Sequence, residues 1–212
     1  TQTQPPERVA ARADAELVLT SNWLALAQDL RRGRVDPQSL STAGHSPSAA
    51  SAIELPATLE RALSQGRVEA GLLASAPIHS AYHRLYEALA EYRRIEDEGG
   101  WVVVADGPRL SQGDRGERVS ALRRRLADSD DEAGQAEQPA LFGEPLDAAV
   151  RDFQRRHGLV EDGVVGPATL SALNVPVGER IRQMRVNMER WRWLPRDLGG
   201  RYIMVNIAGF SM

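Results

Sequence analysis

The sequence contains no cysteine and no lysine. Lacking cysteine, the chain has no disulfide, no thiolate metal ligand and no thiol nucleophile. All 26 basic side chains are therefore arginine, a composition expected of GC-rich coding. The clusters Arg31-Arg32-Gly33-Arg34 and Arg123-Arg124-Arg125 are expected to be solvated helix faces and ends. Asp128, Asp130, Asp131 and Glu132 directly follow the second cluster, and formal net charge is −3, so no nucleic-acid partner is expected. No apolar run is long enough to span a bilayer, so no transmembrane segment is expected. No Ser-His-Asp order and no phosphate-cradling glycine loop is present, and His79 and His83, four apart, lack a third ligand; catalytic residues, metal and cofactor are all expected to be absent. The chain opens Thr1-Gln2-Thr3-Gln4-Pro5-Pro6, with neither an initiator Met nor a signal-peptide pattern. That is expected where a leader has been removed or a start was chosen.

What is present is ordinary for a soluble globular protein: 212 residues, 42% apolar and 26% charged, enough for one large or two small domains. Leu19, Trp23, Leu26 and Leu30 predict one helical face within residues 13–30, stopped by Gly33 and Asp36-Pro37. Residues 39–51 read as a loop. Short helices are predicted from Pro56 to near Gly66 and over 68–74. A longer one carries the stripe Tyr82, Leu85, Leu89, Tyr92 and Ile95 and ends at Gly99-Gly100. Trp101-Val102-Val103-Val104 reads as a short buried strand closed by Asp106-Gly107-Pro108. Val119, Leu122 and Leu126 mark another helix, and 128–139 an exposed loop. Ile181, Met184, Met188 and Trp191 form the seam of a helix that ends before Pro195. Residues 202–207 read as a strand, expected to pack on the front domain, to pair with 101–104, or to pair with another chain.

The most informative stretch runs Ala149-Val150-Arg151-Asp152-Phe153-Gln154-Arg155-Arg156-His157-Gly158-Leu159, then Asp162-Gly163-Val164-Val165-Gly166-Pro167-Ala168-Thr169-Leu170. It reads as helix, glycine-bracketed turn, helix. Leu146, Val150 and Phe153 share one face, Leu170 and Leu173 another, and Val119, Leu122 and Leu126 supply a third wall. The three helices can enclose one small core. Such stripes alone assign no ligand, and a DNA-reading helix-turn-helix is also a three-helix unit. The ordered string, however, closely resembles the peptidoglycan-binding domain of bacterial cell-wall enzymes, over roughly residues 113–174. The resemblance implies peptidoglycan (glycan strand or stem peptide) as partner. Gln154, His157, Asp162, Gly163 and Thr169, at or near the turn, are the candidate ligand-binding residues. For His157 the alternative is a helix C-terminal residue set by the dipole. Trp101, Trp191 and Trp193 could stack on sugars, but are more often packing residues.

The resemblance widens. Ala172-Leu173-Asn174-Val175-Pro176-Val177, Arg180-Ile181, Asn187-Met188-Glu189-Arg190-Trp191-Arg192-Trp193-Leu194-Pro195 and Arg201-Tyr202-Ile203-Met204-Val205-Asn206-Ile207 resemble the long form of bacterial L,D-transpeptidases. Pro77, Tyr82, Leu85, Tyr92-Arg93 and Gly99-Gly100-Trp101 resemble the scaffold part of that family. The family pattern implies a mainly α fold with minor β: a helical scaffold domain (residues 1–110) with an inserted three-helix peptidoglycan-binding domain (111–175). A segment (176–212) then returns to the scaffold and begins the catalytic domain. It also implies a periplasmic location. Family catalysis needs a cysteine thiolate and an activating histidine. This chain has no Cys, and His45, His79, His83 and His157 all precede the point where that domain would begin. The expectation is therefore a non-catalytic scaffold and murein-binding portion of such an enzyme. The alternative is an interaction protein that docks cell-wall machinery without binding murein.

Overall fold

The computed structural model describes residues 6–40, 55–128, 138–196, 198 and 201. Among these the chain is mainly helical, with α1 (Pro6–Arg32), α2 (Leu55–Ser64), α3 (Val68–Leu73), α4 (Ser80–Asp97), α5 (Glu117–Ala127), α6 (Glu144–Arg156), α7 (Pro167–Leu173) and α8 (Val177–Arg192). Packing divides the described residues into two compact units. One holds residues up to Glu87 together with 185–201, the other Ala88–Met184. Helices α4 and α8 contribute residues to both.

In the first unit, α1, α2 and α3 pack around Trp23, Ala27 and Leu59, with Leu24, Leu55 and Leu72 against them. The Trp23 indole N–H donates to the Val68 carbonyl at 3.2 Å. The face expected on α1 is corrected here: Trp23 is buried, but Leu19 and Leu26 are 69% and 47% exposed, and Ala27 is buried instead. The reason is that α1 starts at Pro6 and is exposed from Arg8 through Ser21, so only its last third meets neighbours.

The run 187–195 buckles this unit together. The Glu189 carboxylate accepts the backbone N–H groups of Arg34 and Val35, just past the end of α1, and pairs with Arg192 at 2.9 Å. Arg192 also donates to the Tyr82 hydroxyl at 3.1 Å. His79 Nε2–H donates to the Pro195 carbonyl at 3.0 Å, with the Trp191 ring beside it. The Glu189 and Arg192 contacts hold chain segments far apart in sequence by charge-assisted hydrogen bonds, which are stronger than neutral ones.

The second unit is built on one core: Val104, Leu110, Val119, Leu122, Leu126, Phe142, Leu146, Ala149, Val150, Phe153, Val165, Leu170 and Leu173. The stripes of α5, α6 and α7 thus share one interior, as the spacing predicts. Burying each large side chain here contributes roughly 1.5–3 kcal/mol. The expected strand at 101–104 is absent. Val103 is 65% exposed and Val104 fully buried, and among the described residues no strand runs alongside. A side chain takes the partner's place: the Asn174 carboxamide accepts from Val104 N–H at 3.0 Å and donates to Val104 C=O at 2.8 Å. Minor β is reduced, among the described residues, to the isolated bridges Leu110–Val165 and Arg115–Leu141. The strand expected at 202–207, with its pairing, lies outside the described residues, as do most of the expected loops at 39–51 and 128–139.

The arginine cluster of α5 also departs from expectation. Arg123 and Arg125 are 5% and 3% exposed. Arg123 donates to the Pro139 and Leu141 carbonyls at 3.2 and 2.8 Å. Arg125 donates to Leu173 C=O at 2.8 Å and lies 3.8 Å over the Trp101 ring. Burial pulls its pKa down to about 10, so it remains charged at neutral pH. Hydrophobic periodicity alone cannot foresee a guanidinium that satisfies carbonyls inside a fold.

Candidate functional site

One turn of α6 places Arg151 and Gln154 on the side facing the glycine-bracketed loop. Arg151 Nη1 and Nη2 donate to the carbonyls of Glu161 and Asp162 at 2.7 and 2.9 Å, and Nε pairs with Asp147 at 2.7 Å. Gln154, 1% exposed, accepts from Gly163 N–H at 2.9 Å and donates to Asp162 Oδ1, Val164 C=O and Thr169 Oγ1 at 2.9, 3.1 and 3.2 Å. Asp162 Oδ1 also accepts from Val164 N–H at 2.9 Å. That backbone N–H and the Gln154 amide hold the Asp162 carboxyl below the usual carboxylate range. Gln154, Asp162, Gly163 and Thr169 are thus brought together into one knot whose polar groups engage each other. The sequence reading missed Arg151. Its spacing from Gln154, three residues on one helix, is the signal that could have found it.

His157 stands apart from the knot. It ends α6, with Nδ1–H donating to Phe153 C=O at 2.8 Å and its ring stacked on Phe153 at 3.9 Å. Burial against that ring, with smaller contributions from Arg180, Arg156 and Arg125, lowers its pKa below 6.5, partly offset by the Phe153 hydrogen bond. The unfolded chain therefore takes up the proton more readily than the folded one. Stability from this site is fully present above pH 6.5 and declines as pH falls from there toward the depressed folded pKa. Urea midpoints of this unit, followed by NMR from about pH 8 to about pH 5, are expected to fall at the acid end. His157→Asn is expected to flatten that part of the profile.

The loop held by the knot forms one wall of a groove of about 630 Å³. The groove is lined by Val165, Gly166 and Pro167 of that loop, by Leu170, Ser171 and Asn174 further along, and by Asp106, Gly107, Pro108 and Arg109. The two sides are joined by the Leu110–Val165 bridge, with N–H···O distances of 3.3 and 2.8 Å. Arg118 of α5 braces the Asp106–Arg109 turn, donating to Ala105 and Pro108 carbonyls at 2.8 and 2.7 Å. Its guanidinium lies so close beneath Gly107 that an added Cβ would sit 2.9 Å from it. Asn174 is fastened to Val104 as described. The groove is therefore preformed, with apolar walls and a few fixed polar groups, the usual make-up of a small-ligand site. Asp106, Arg109 and Ser171 are exposed along it. Sequence reasoning took Asp106-Gly107-Pro108 only as a turn. The signal it passed over was opposite charges flanking a rigid Gly-Pro pair.

Trp101, half-buried, is occupied structurally. Trp101 is packed between Tyr92, edge-on at 5.6 Å, and Arg125, and donates to the Val175 carbonyl at 3.1 Å.

Residues 1–89 match the Scaffold domain family and residues 115–173 match the peptidoglycan binding domain family. The chain is 39% identical over 64 residues to the zinc D-Ala-D-Ala carboxypeptidase of Streptomyces albus G, a match covering 30% of this chain and 25% of that protein. It is 40% identical over 76 residues to the N-acetylmuramoyl-L-alanine amidase CwlM of Mycobacterium tuberculosis (strain ATCC 25618 / H37Rv), covering 32% of this chain and 19% of that protein. The chain thus matches no more than a quarter of either relative. It carries a scaffold domain and a peptidoglycan-binding domain, and is similar to cell-wall hydrolases in part of its length.

Proposed function

We propose that the groove between the Asp106–Arg109 turn and α7 binds peptidoglycan. In this reading the chain is the scaffold and murein-binding portion of an L,D-transpeptidase-like cell-wall cross-linking enzyme, working in the periplasm. The observation that carries the reading is a preformed polar-rimmed groove lying within and beside the segment that matches the peptidoglycan-binding family. Gln154, Asp162, Gly163 and Thr169 serve as positioning residues that hold the loop wall, and His157 closes α6 beside them. Residues 1–110 form the scaffold, 111–175 the murein module, and 176–212 the returning segment. The grouping of 185–201 with the front helices supports that return. The acyl-transfer step of such an enzyme needs a thiolate, and no residue of this stretch supplies one.

The test is co-sedimentation of the 212-residue chain with purified sacculi at low and moderate salt. The chain is expected in the pellet. Ser171→Trp, which fills the groove from an exposed position, is expected to lower the bound fraction about fivefold without loss of folding. A chain that remains in the supernatant, or a Ser171→Trp variant that pellets like the parent, counts against the groove.

A further inference from the structure

We infer that the groove selects the peptide part of its ligand by charge, taking a stem-peptide end that carries both a free carboxylate and a free ammonium, as a terminal diamino acid does. This rests on the murein reading of the same groove.

The argument starts from how this unit uses its guanidinium groups. Arg118, Arg123, Arg125 and Arg151 all donate to backbone carbonyls. Arg109 lines the groove and forms no hydrogen bond or ion pair among the described residues. Asp106, three residues earlier on the same wall, is likewise unengaged among them. Two opposite charges three residues apart on one braced turn, with no partner among the described residues, present a dipole to whatever enters. Beneath the turn Arg118 adds positive charge, and its Nη2 is buried with no hydrogen-bond partner among the described residues. The wall therefore favours a carboxylate at Arg109, where a planar fork can grip both oxygens, and an ammonium at Asp106. A neutral glycan strand would leave both charges without counterpart. The braced turn means that little ordering cost is left for the moment of binding.

The experiment is NMR titration of the full chain with a synthetic stem tripeptide ending in a diamino acid. It is repeated with the same peptide amidated at that residue's free carboxylate, and again with its free amine acetylated. Shifts are expected at residues 106–109 and 165–174. Each capped peptide is expected to bind about tenfold or more weakly than the free one, the scale of a lost charge-assisted contact. Arg109→Gln is expected to erase the preference for free carboxylate only, and Asp106→Asn the preference for free amine only. Both side chains are exposed, so the fold is not at stake, and Arg124→Gln, exposed on α5 outside the groove, is expected to change neither. Equal binding of free and capped peptides overturns the inference. So does absence of peptide binding by a chain that still sediments with sacculi, which leaves the murein reading standing. A chain that binds neither overturns both.

Discussion

Replacing Gln154 by alanine is expected to cost the second unit about 4 kcal/mol. The amide is 1% exposed and joins α6 to Asp162, Gly163, Val164 and Thr169. Truncation removes those bonds together, leaves the Gly163 N–H without its acceptor, and opens a void that the core above cannot refill. Stranded buried donors each cost about 1–3 kcal/mol, and the void adds to that. Urea unfolding followed by resonances of Val165 and Leu173 measures the loss. Gln154→Glu separates shape from hydrogen bonding. Its carboxylate still accepts from Gly163 but meets Asp162 as a like charge. That variant is expected to be nearly as unstable at neutral pH, and to recover on acidification as one carboxyl takes up a proton. A Gln154→Ala chain within about 1 kcal/mol of the parent would remove the knot as the loop's anchor.

Gly163→Ala is expected to cost about 3 kcal/mol. Gly163 sits at φ +74°, and a Cβ there would run into Asp147 Oδ1 and lie 2.8 Å from Arg151 Nη2, breaking the pair that holds the Glu161 and Asp162 carbonyls. Gly158 is the natural control. Its φ is +65°, but a Cβ would meet nothing within 4 Å. Gly158→Ala should therefore show only the backbone penalty, about 1 kcal/mol. The difference between the two midpoints reads the collision alone. Equal midpoints would show that the collision is relieved at no cost. Loss of sacculus binding is expected to track Gly163→Ala, because the loop wall of the groove depends on it.

The parts of this fold legible in the sequence are those written in spacing. Val119, Leu122, Leu126, Leu146, Val150, Phe153, Leu170 and Leu173 recur at helical intervals, and all lie in one core. The α4 and α8 seams follow the same rule, with Tyr82, Leu89, Ile181 and Met188 buried. Spacing failed where a long-range polar contact replaced a regular one. Val104 belongs to no strand among the described residues; a single carboxamide, 70 residues away, satisfies its backbone. Leu19 and Leu26 belong to an apolar pattern, but α1 outruns the neighbours that could cover it. Of the site, the string from Ala149 to Leu170 pointed to the right module. The groove's outer wall lies some 40 residues before that string, and no local pattern links Asp106 and Arg109 to Ser171.

The absence of lysine takes on a meaning that nucleotide bias alone does not supply. Arg118, Arg123 and Arg151 each reach two carbonyl oxygens at once, at the groove turn, beside the Arg115–Leu141 bridge and along the knotted loop. An ammonium is a point donor on a flexible stem and cannot span such a pair in a fixed plane. In this architecture the forked cation works as mortar between turns that lack regular ladders. Any relative that drifts toward lysine in its surface composition is therefore expected to hold these three positions back.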